Sequence, residues 1–206
     1  SVLHDPQGLI NLMGGRKDFV EKLDEVFTSE PTSDYSYYGF KIHEILEMEL
    51  LNMGQYAHGN QPIQHAIYFY NYAQEPWKTQ EKVRYVMDNL YGSGADGYCG
   101  DEDNGQTSAW FVFSSLGFYP VAPVTGQYVI GSPLFEEVTI ELSDGKKLKI
   151  KAPNNSEKNI LPTLKSRCLT FKINLTFSET LNISSSILEK NVLEFVNYDL
   201  LSFYNI

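Results

Sequence analysis

Apolar residues recur at helical spacing from Arg16 to Leu116, and beyond Pro120 the pattern shortens to strand-like runs. Asp5-Pro6-Gln7-Gly8 reads as a turn and Gly14-Gly15 as a break. Arg16 to Phe27 is an amphipathic helix with Phe19, Leu23, Val26 and Phe27 on one face. Thr28 to Asp34 is a polar, Pro-containing connection. Gly39 to Met53 is helical again and carries His43-Glu44. Gln55 to Gln61 is a polar loop. Pro62 is expected at the first helical position, where its missing N–H costs nothing. Ile63 to Ala73 is apolar and aromatic almost all round, as a helix buried on most sides would be. Trp77 to Tyr91 carries one stripe, Val83, Val86, Met87 and Leu90. Lys78, Glu81, Lys82, Arg84 and Asp88 cover the rest, which predicts a surface helix. A loop from Gly92 to Gly105 leads to another nearly all-apolar helix, Gln106 to Leu116.

Buried and amphipathic helices thus alternate. That is the pattern of an α/α toroid, although a plain helical bundle has the same periodicity. Past Phe118-Tyr119-Pro120, Gln127 to Ile130, Glu137 to Leu142 and Leu148 to Lys151 read as strands. Asp144-Gly145 between the last two is a hairpin signal. Leu169 to Ile173 and Val192 to Val196 are weaker strand candidates. The expected fold is mainly α with a β tail, changing from helix to sheet near residue 122.

Composition narrows the function classes. The 206 residues can bury a core and hold one or two domains. With 26 acidic against 16 basic side chains the net charge is −10, which argues against nucleic acid or an anionic membrane as partner. No apolar run is long enough to span a bilayer, so no membrane insertion is expected. The 14 Tyr, 12 Phe and 2 Trp suit sugar rings and ordinary cores alike. Cys99 and Cys168 fit neither a metal spacing nor a disulfide framework. Asn154, Asn174 and Asn182 each begin an Asn-x-Ser/Thr sequon. The chain starts at Ser1, without Met or a signal peptide, and is expected to be a piece of a longer protein.

The densest candidate chemistry is Gly97-Tyr98-Cys99-Gly100-Asp101-Glu102-Asp103-Asn104-Gly105-Gln106, three carboxylates between glycines. Asp103 or Asn104 could cap the following helix. This loop and Gly59-Asn60-Gln61 each precede a buried helix. If those helices run parallel, both loops fall on one rim above an aromatic floor. Oxygen ligands there suit a hard cation such as calcium. A carboxylate beside an apolar floor could act as a general base, and helix N-termini favour its ionised form. Other candidates have blander readings. His43-Glu44 resembles a surface pair, His58 and His65 suit core or capping roles, and Trp77 and Trp110 suit packing. Cys99 has no base beside it in sequence and reads as a buried spectator.

Several strings, in order, carry a resemblance: Gly59-Asn60-Gln61-Pro62-Ile63-Gln64-His65, Tyr70-Asn71-Tyr72-Ala73, Pro76-Trp77-Lys78-Thr79-Gln80, Gly100 to Gln106 running into Ser108-Ala109-Trp110, Gly117-Phe118-Tyr119-Pro120, and Gly131 to Phe135. Over roughly residues 1 to 152 the chain resembles glycoside hydrolase family 92. After about Asn159 the match thins, though Leu193-Glu194-Phe195 still fits the family's closing sandwich strand. The resemblance implies calcium-dependent exo-α-mannosidases that invert the anomeric centre, built from a β-sandwich and an (α/α)6 barrel. It implies that residues 1–122 are the C-terminal part of that barrel and that 123–206 complete the sandwich. Asp101 and Asp103 match the carboxylates that activate water. His43 and Glu44 match positions contacting the terminal mannose. Asn60 and Gln61 fall in the loop near the calcium, where some relatives have Glu in place of Gln61.

The resemblance also places the family's general acid in a Glu-Gly-Asn stretch upstream of Ser1. The partner implied is a mannose-containing glycan, the compartment periplasmic or extracellular, and this segment alone is expected to be inactive. The competing reading is a non-catalytic carbohydrate-binding or scaffold module that keeps the rim and has lost the acid. A helical interaction array is disfavoured because the sequence shows no repeat.

Overall fold

The computed structural model describes residues 2–141, 145, 147–152 and 155, together with the backbone of 172–176 and 192–194. Among these residues the chain is mainly helical, followed by short antiparallel strands. The helices are α1 (Pro6–Leu12), α2 (Arg16–Thr28), α3 (His43–Leu51), α4 (Phe69–Tyr72), α5 (Pro76–Asn89) and α6 (Gln106–Leu116). The strands are β1 (Phe118–Tyr119), β2 (Gln127–Ile130), β3 (Glu137–Glu141), β4 (Lys147–Lys151), β5 (Lys172–Thr176) and β6 (Val192–Glu194). They form two antiparallel sheets, ordered β1-β2-β6 and β3-β4-β5. Asp144 of the expected hairpin turn, Leu142, Asn154, Cys168, 169–171, Asn182 and 195–196 lie outside the described residues.

Local chemistry explains where the elements depart from their expected bounds. The opening turn continues into α1, because the Asp5 carboxylate accepts from the Gly8 N–H at 2.8 Å and Pro6 occupies the first turn. The helix expected over 39–53 is shorter. Gly39 takes a left-handed φ of 71°, Ile42 is extended, and Asn52 ends α3 in a left-handed cap. The segment expected as one helix from Ile63 to Ala73 runs as a 3-10 helix over Gln61–Tyr68 before α4, with Pro62 second rather than first. Side chains take carbonyls that an α-helix would use. Trp110 Nε1 donates to the Gln64 carbonyl at 3.1 Å and Thr79 Oγ1 to that of Ile67 at 2.9 Å. Its burial is as expected, from Gln64 through Asn71.

The core is mostly aromatic and runs from α1 and α2 (Ile10, Phe19, Leu23, Phe27) through Tyr56, Ile67, Tyr70, Val83, Val86 and Trp110 to Tyr119 and Val129. Alternation along β1 and β2 divides their side chains between two cores. Tyr119 and Val129, paired across the sheet, face the helices. Phe118, Tyr128 and Ile130 join Leu148 and Ile150 in a smaller cluster. Arg84, expected on the exposed face of α5, is buried. It donates to the Pro133 carbonyl at 2.9 Å, and Asn71 donates to that of Ile130 at 2.7 Å, so α4 and α5 seat the chain beyond α6. Helix α6 is more one-sided than expected. It buries Thr107, Trp110, Ser114 and Ser115 and leaves Val112 about half exposed.

Candidate active site

The acidic loop is held by its own backbone and by its middle carboxylate. Glu102 Oε2 accepts from the Gly105 N–H at 2.7 Å, and Oε1 from the Ser108 hydroxyl at 2.6 Å and its N–H at 3.3 Å. The Ser108 hydroxyl leads the causes that hold this carboxyl below the usual range. Glu102, and neither Asp103 nor Asn104, therefore satisfies the first turn of α6, which corrects the capping expectation. Those two residues are instead the turn itself. Asp103, Asn104 and Gly105 take successive φ values of 58°, 55° and 97°. Asp, Asn and Gly are the residue types that tolerate this left-handed region, and such a run persists only where its surroundings over-determine it. Asp101 is exposed and Asp103 half-buried, and neither carboxylate accepts a hydrogen bond from the described residues.

The acidic loop and the Gly59 loop touch. A Cβ built on Gly59 would lie 2.7 Å from the Cys99 carbonyl oxygen and 3.0 Å from Gly100 Cα. One built on Gly100 would lie 2.6 Å from Gly59 Cα. Only glycine at both positions permits this approach. The carboxylate of Glu47 occupies the space beside both, 2.8 Å from either ideal Cβ. Its other oxygen is 3.0 Å from His43 Nδ1, one turn back on α3, and His43 Nε2 is 3.3 Å from Glu44. The hydrogen bond to Glu47 is the largest cause raising the His43 pKa, with further attraction from Glu44, Glu47 and Asp101. The structure thus gathers His43, Glu44 and Asp101 of the expected set at one place. Asn60 and Gln61 follow Gly59, half-buried and exposed respectively, and their side chains make no hydrogen bond with the described residues.

Beneath these loops lies a floor whose polar atoms are matched. His58 is fully buried. It bonds Tyr56 Oη at 2.7 Å through Nδ1 and Tyr91 Oη at 2.9 Å through Nε2, and its ring meets Trp110 edge-on at 4.4 Å. Burial pushes its pKa down to about 3, so it stays neutral. Gln64, also fully buried, donates to the His58 carbonyl at 3.0 Å and to Thr107 Oγ1 at 3.2 Å, and accepts from Gln106 at 3.2 Å. Thr107 Oγ1 donates to the Asp101 carbonyl at 3.0 Å. The Cys99 thiol is pushed up to about 11 by burial, in keeping with an inert role.

Glu47, Gln64 and Thr107 escaped the sequence reading. Glu47 stands four residues after His43 on α3, a spacing that could have marked it. Gln64 and Thr107 look like ordinary polar residues until their burial is known. Among the described residues no three His, Cys, Asp or Glu side chains gather as a metal site. The donors of the Asn60-Gln61 loop are amide oxygens, a set that fits a hard cation rather than zinc. No helix of the described residues is long and apolar enough to cross a membrane.

Comparison with known proteins places the chain in a family. The model of the glycosyl hydrolase family 92 catalytic domain matches residues 1–166. A family 92 inverting mannosidase from Bacteroides thetaiotaomicron superposes with a TM-score of 0.61 at 60% identity, over 75% of this chain and 21% of that one. A family 92 α-mannosidase of the same organism, in complex with mannoimidazole, superposes with a TM-score of 0.65 at 41% identity, over 77% of this chain and 20% of that one. A protein of Arthroderma benhamiae described as an uncharacterized secreted glycosidase is 29% identical over 140 residues, 68% of this chain and 15% of its own length. The chain thus spans about a fifth or less of these relatives. Because the matched span 1–166 takes in both touching loops and every residue of the floor, we conclude that this chain belongs to glycosyl hydrolase family 92.

Proposed function

We propose that this chain is the base-bearing segment of a secreted exo-α-mannosidase, with Asp103 as general base and Asp101 beside it. One observation carries the reading. Of the three carboxylates on the loop, Glu102 is bound into the first turn of α6 while Asp101 and Asp103 have no hydrogen-bond partner among the described residues. The relatives described as an inverting mannosidase and as an α-mannosidase with mannoimidazole bound supply the substrate class, a mannose-containing glycan. The secreted Arthroderma relative supports a site outside the cytoplasm.

In an inverting glycosidase one carboxylate removes a proton from water as a second carboxylic acid protonates the departing glycosidic oxygen. Here an Asp103 carboxylate oxygen takes the water proton, with Asp101 sharing or orienting that water. The acid comes from outside residues 1–206. His43 and Glu44 bind the terminal mannose, and the raised pKa of His43 favours a charged donor for sugar hydroxyls. Asn60 and Gln61 are the residues that would hold calcium. Bound there, the ion would supply positive charge that binds sugar hydroxyls and favours ring distortion. We further assign residues 1–122 to part of an (α/α)6 barrel and 123–206 to the completion of a β-sandwich.

The test is hydrolysis of α-mannosides by the complete enzyme, followed by proton NMR of the first sugar released. The expected product is β-mannose, with activity lost on chelation and restored by calcium. The isolated 206-residue chain should show no turnover. Initial release of α-mannose would overturn inversion. Mannoside binding by the complete protein without turnover would favour the non-catalytic module instead.

A further inference from the structure

We infer that Thr107, fixed by Gln64, is the positioning residue that sets where the acidic loop holds its carboxylates. The inference rests on the reading of Asp101 and Asp103 as the base pair, although the clamp itself is visible without it. The direction of each hydrogen bond is forced. The Gln64 amide nitrogen can only donate, and it faces the His58 carbonyl at 3.0 Å and Thr107 Oγ1 at 3.2 Å. Thr107 Oγ1 must therefore accept from Gln64, which leaves its single proton for the Asp101 carbonyl at 3.0 Å. Turning the Gln64 amide round would set its oxygen against the His58 carbonyl, which can only accept, and its nitrogen against the Gln106 amide nitrogen that now donates to it at 3.2 Å.

Thr107 grips the loop a second time through its backbone. Its N–H donates to the Glu102 carbonyl at 3.1 Å, and its own carbonyl accepts from Tyr91 Oη at 3.1 Å. Two successive loop carbonyls, of Asp101 and Glu102, are thus anchored to one residue that is 1% exposed. Immediately after them come the left-handed residues Asp103, Asn104 and Gly105. A chain of that conformation relaxes unless it is held at its ends. The hydroxyl holds the Asp101 end, and the cap made by Glu102 holds the Gly105 end. Thr107 is buried and bonds the loop only through the Asp101 and Glu102 carbonyls among the described residues, so it acts through the positions of Asp101 and Asp103.

The hydroxyl can be tested apart from the methyl group. Thr107→Val keeps the shape and removes the hydroxyl, whereas Thr107→Ser keeps the hydroxyl. In the complete enzyme, amide exchange at Gly105 and Gln106 should quicken at least about tenfold in Thr107→Val, with α2 and α5 unchanged. Turnover should fall roughly 10- to 100-fold with KM within about threefold, the scale of a misplaced reacting group. Thr107→Ser should restore both to near wild type. Should Thr107→Val not fold, Thr107→Ala also lacks the hydroxyl and carries the same expectation. Unchanged exchange at Gly105 and Gln106 in the hydroxyl-free variant would overturn the clamp, whatever the enzyme hydrolyses. Quickened exchange with undiminished mannosidase turnover would overturn its positioning role.

Discussion

Two neighbouring polar regions behave in opposite ways. In the floor, Tyr56, His58, Gln64, Tyr91 and Thr107 satisfy one another, and the network is buried or nearly so. On the two touching loops, Asp101, Asp103, Asn60 and Gln61 present side-chain polar groups with no hydrogen-bond partner among the described residues. The contrast is sharpest between two histidines. His58 is pushed down to about 3 by burial, while His43 is raised, first by its hydrogen bond to Glu47. Buried polar groups cost free energy unless matched, so those of the floor serve shape. Groups left unmatched at the surface, on a loop anchored from below, are free to serve a ligand.

The floor can be broken first. Trp110 is fully buried, donates to Gln64 and stacks on Tyr91. Trp110→Ala should cost about 3–5 kcal/mol of stability by denaturant unfolding, the range for large aromatic truncations. A loss below about 1 kcal/mol would mean that the floor does not hold the fold.

Acid provides the next test. The folded-state pKa of His58 is depressed, so the unfolded chain binds its proton first. Stability should therefore be present above about pH 6.5 and fall as pH drops towards about 3, at roughly 1.4 kcal/mol per unit from this residue. Unfolding curves at successive pH values check this, and His58→Phe should be less stable overall yet lose that share of the slope. An equal slope in the variant would contradict the buried neutral imidazole.

The smallest effect concerns His43, beside the touching loops. Glu47→Gln keeps the side-chain shape, so stability should change by no more than about 0.5 kcal/mol. Its readout is the His43 titration by NMR, which should lie above the ordinary value in the wild type and move down in the variant. A titration unmoved by the substitution would remove the Glu47 hydrogen bond as the cause of the raised His43 pKa.

Much of this was legible in the sequence. The stripe Phe19, Leu23, Phe27 marked the buried face of α2, and the aromatic run after Pro62 marked the centre of the core. The glycines of the acidic loop marked a close approach, which Gly100 makes to Gly59. What the sequence hid were long-range demands on local structure. Ile63 to Tyr68 has a helical pattern, but Trp110 and Thr79 draw off its carbonyls and tighten it to a 3-10 helix. Arg84 has the spacing of an exposed residue, but the Pro133 carbonyl, 49 residues away, buries it. Within the acidic triplet, composition could not tell which carboxylate caps α6. Ser108 and Gly105 choose Glu102, and the left-handed turn carries Asp103 past the cap.

In the proposed mechanism the Asp103 carboxylate, which accepts no hydrogen bond from the described residues, takes a proton from water. Asn tolerates the left-handed conformation as Asp does, so Asp103→Asn removes the charge and leaves the loop in place. The direct measurement is mannoside turnover and thermal unfolding of this variant in the complete enzyme, side by side with the wild type. Turnover should be lower by about 10²–10⁴-fold, the scale of a lost general base, with the melting temperature within about 2 °C. Undiminished turnover in a variant that melts like the wild type would contradict it.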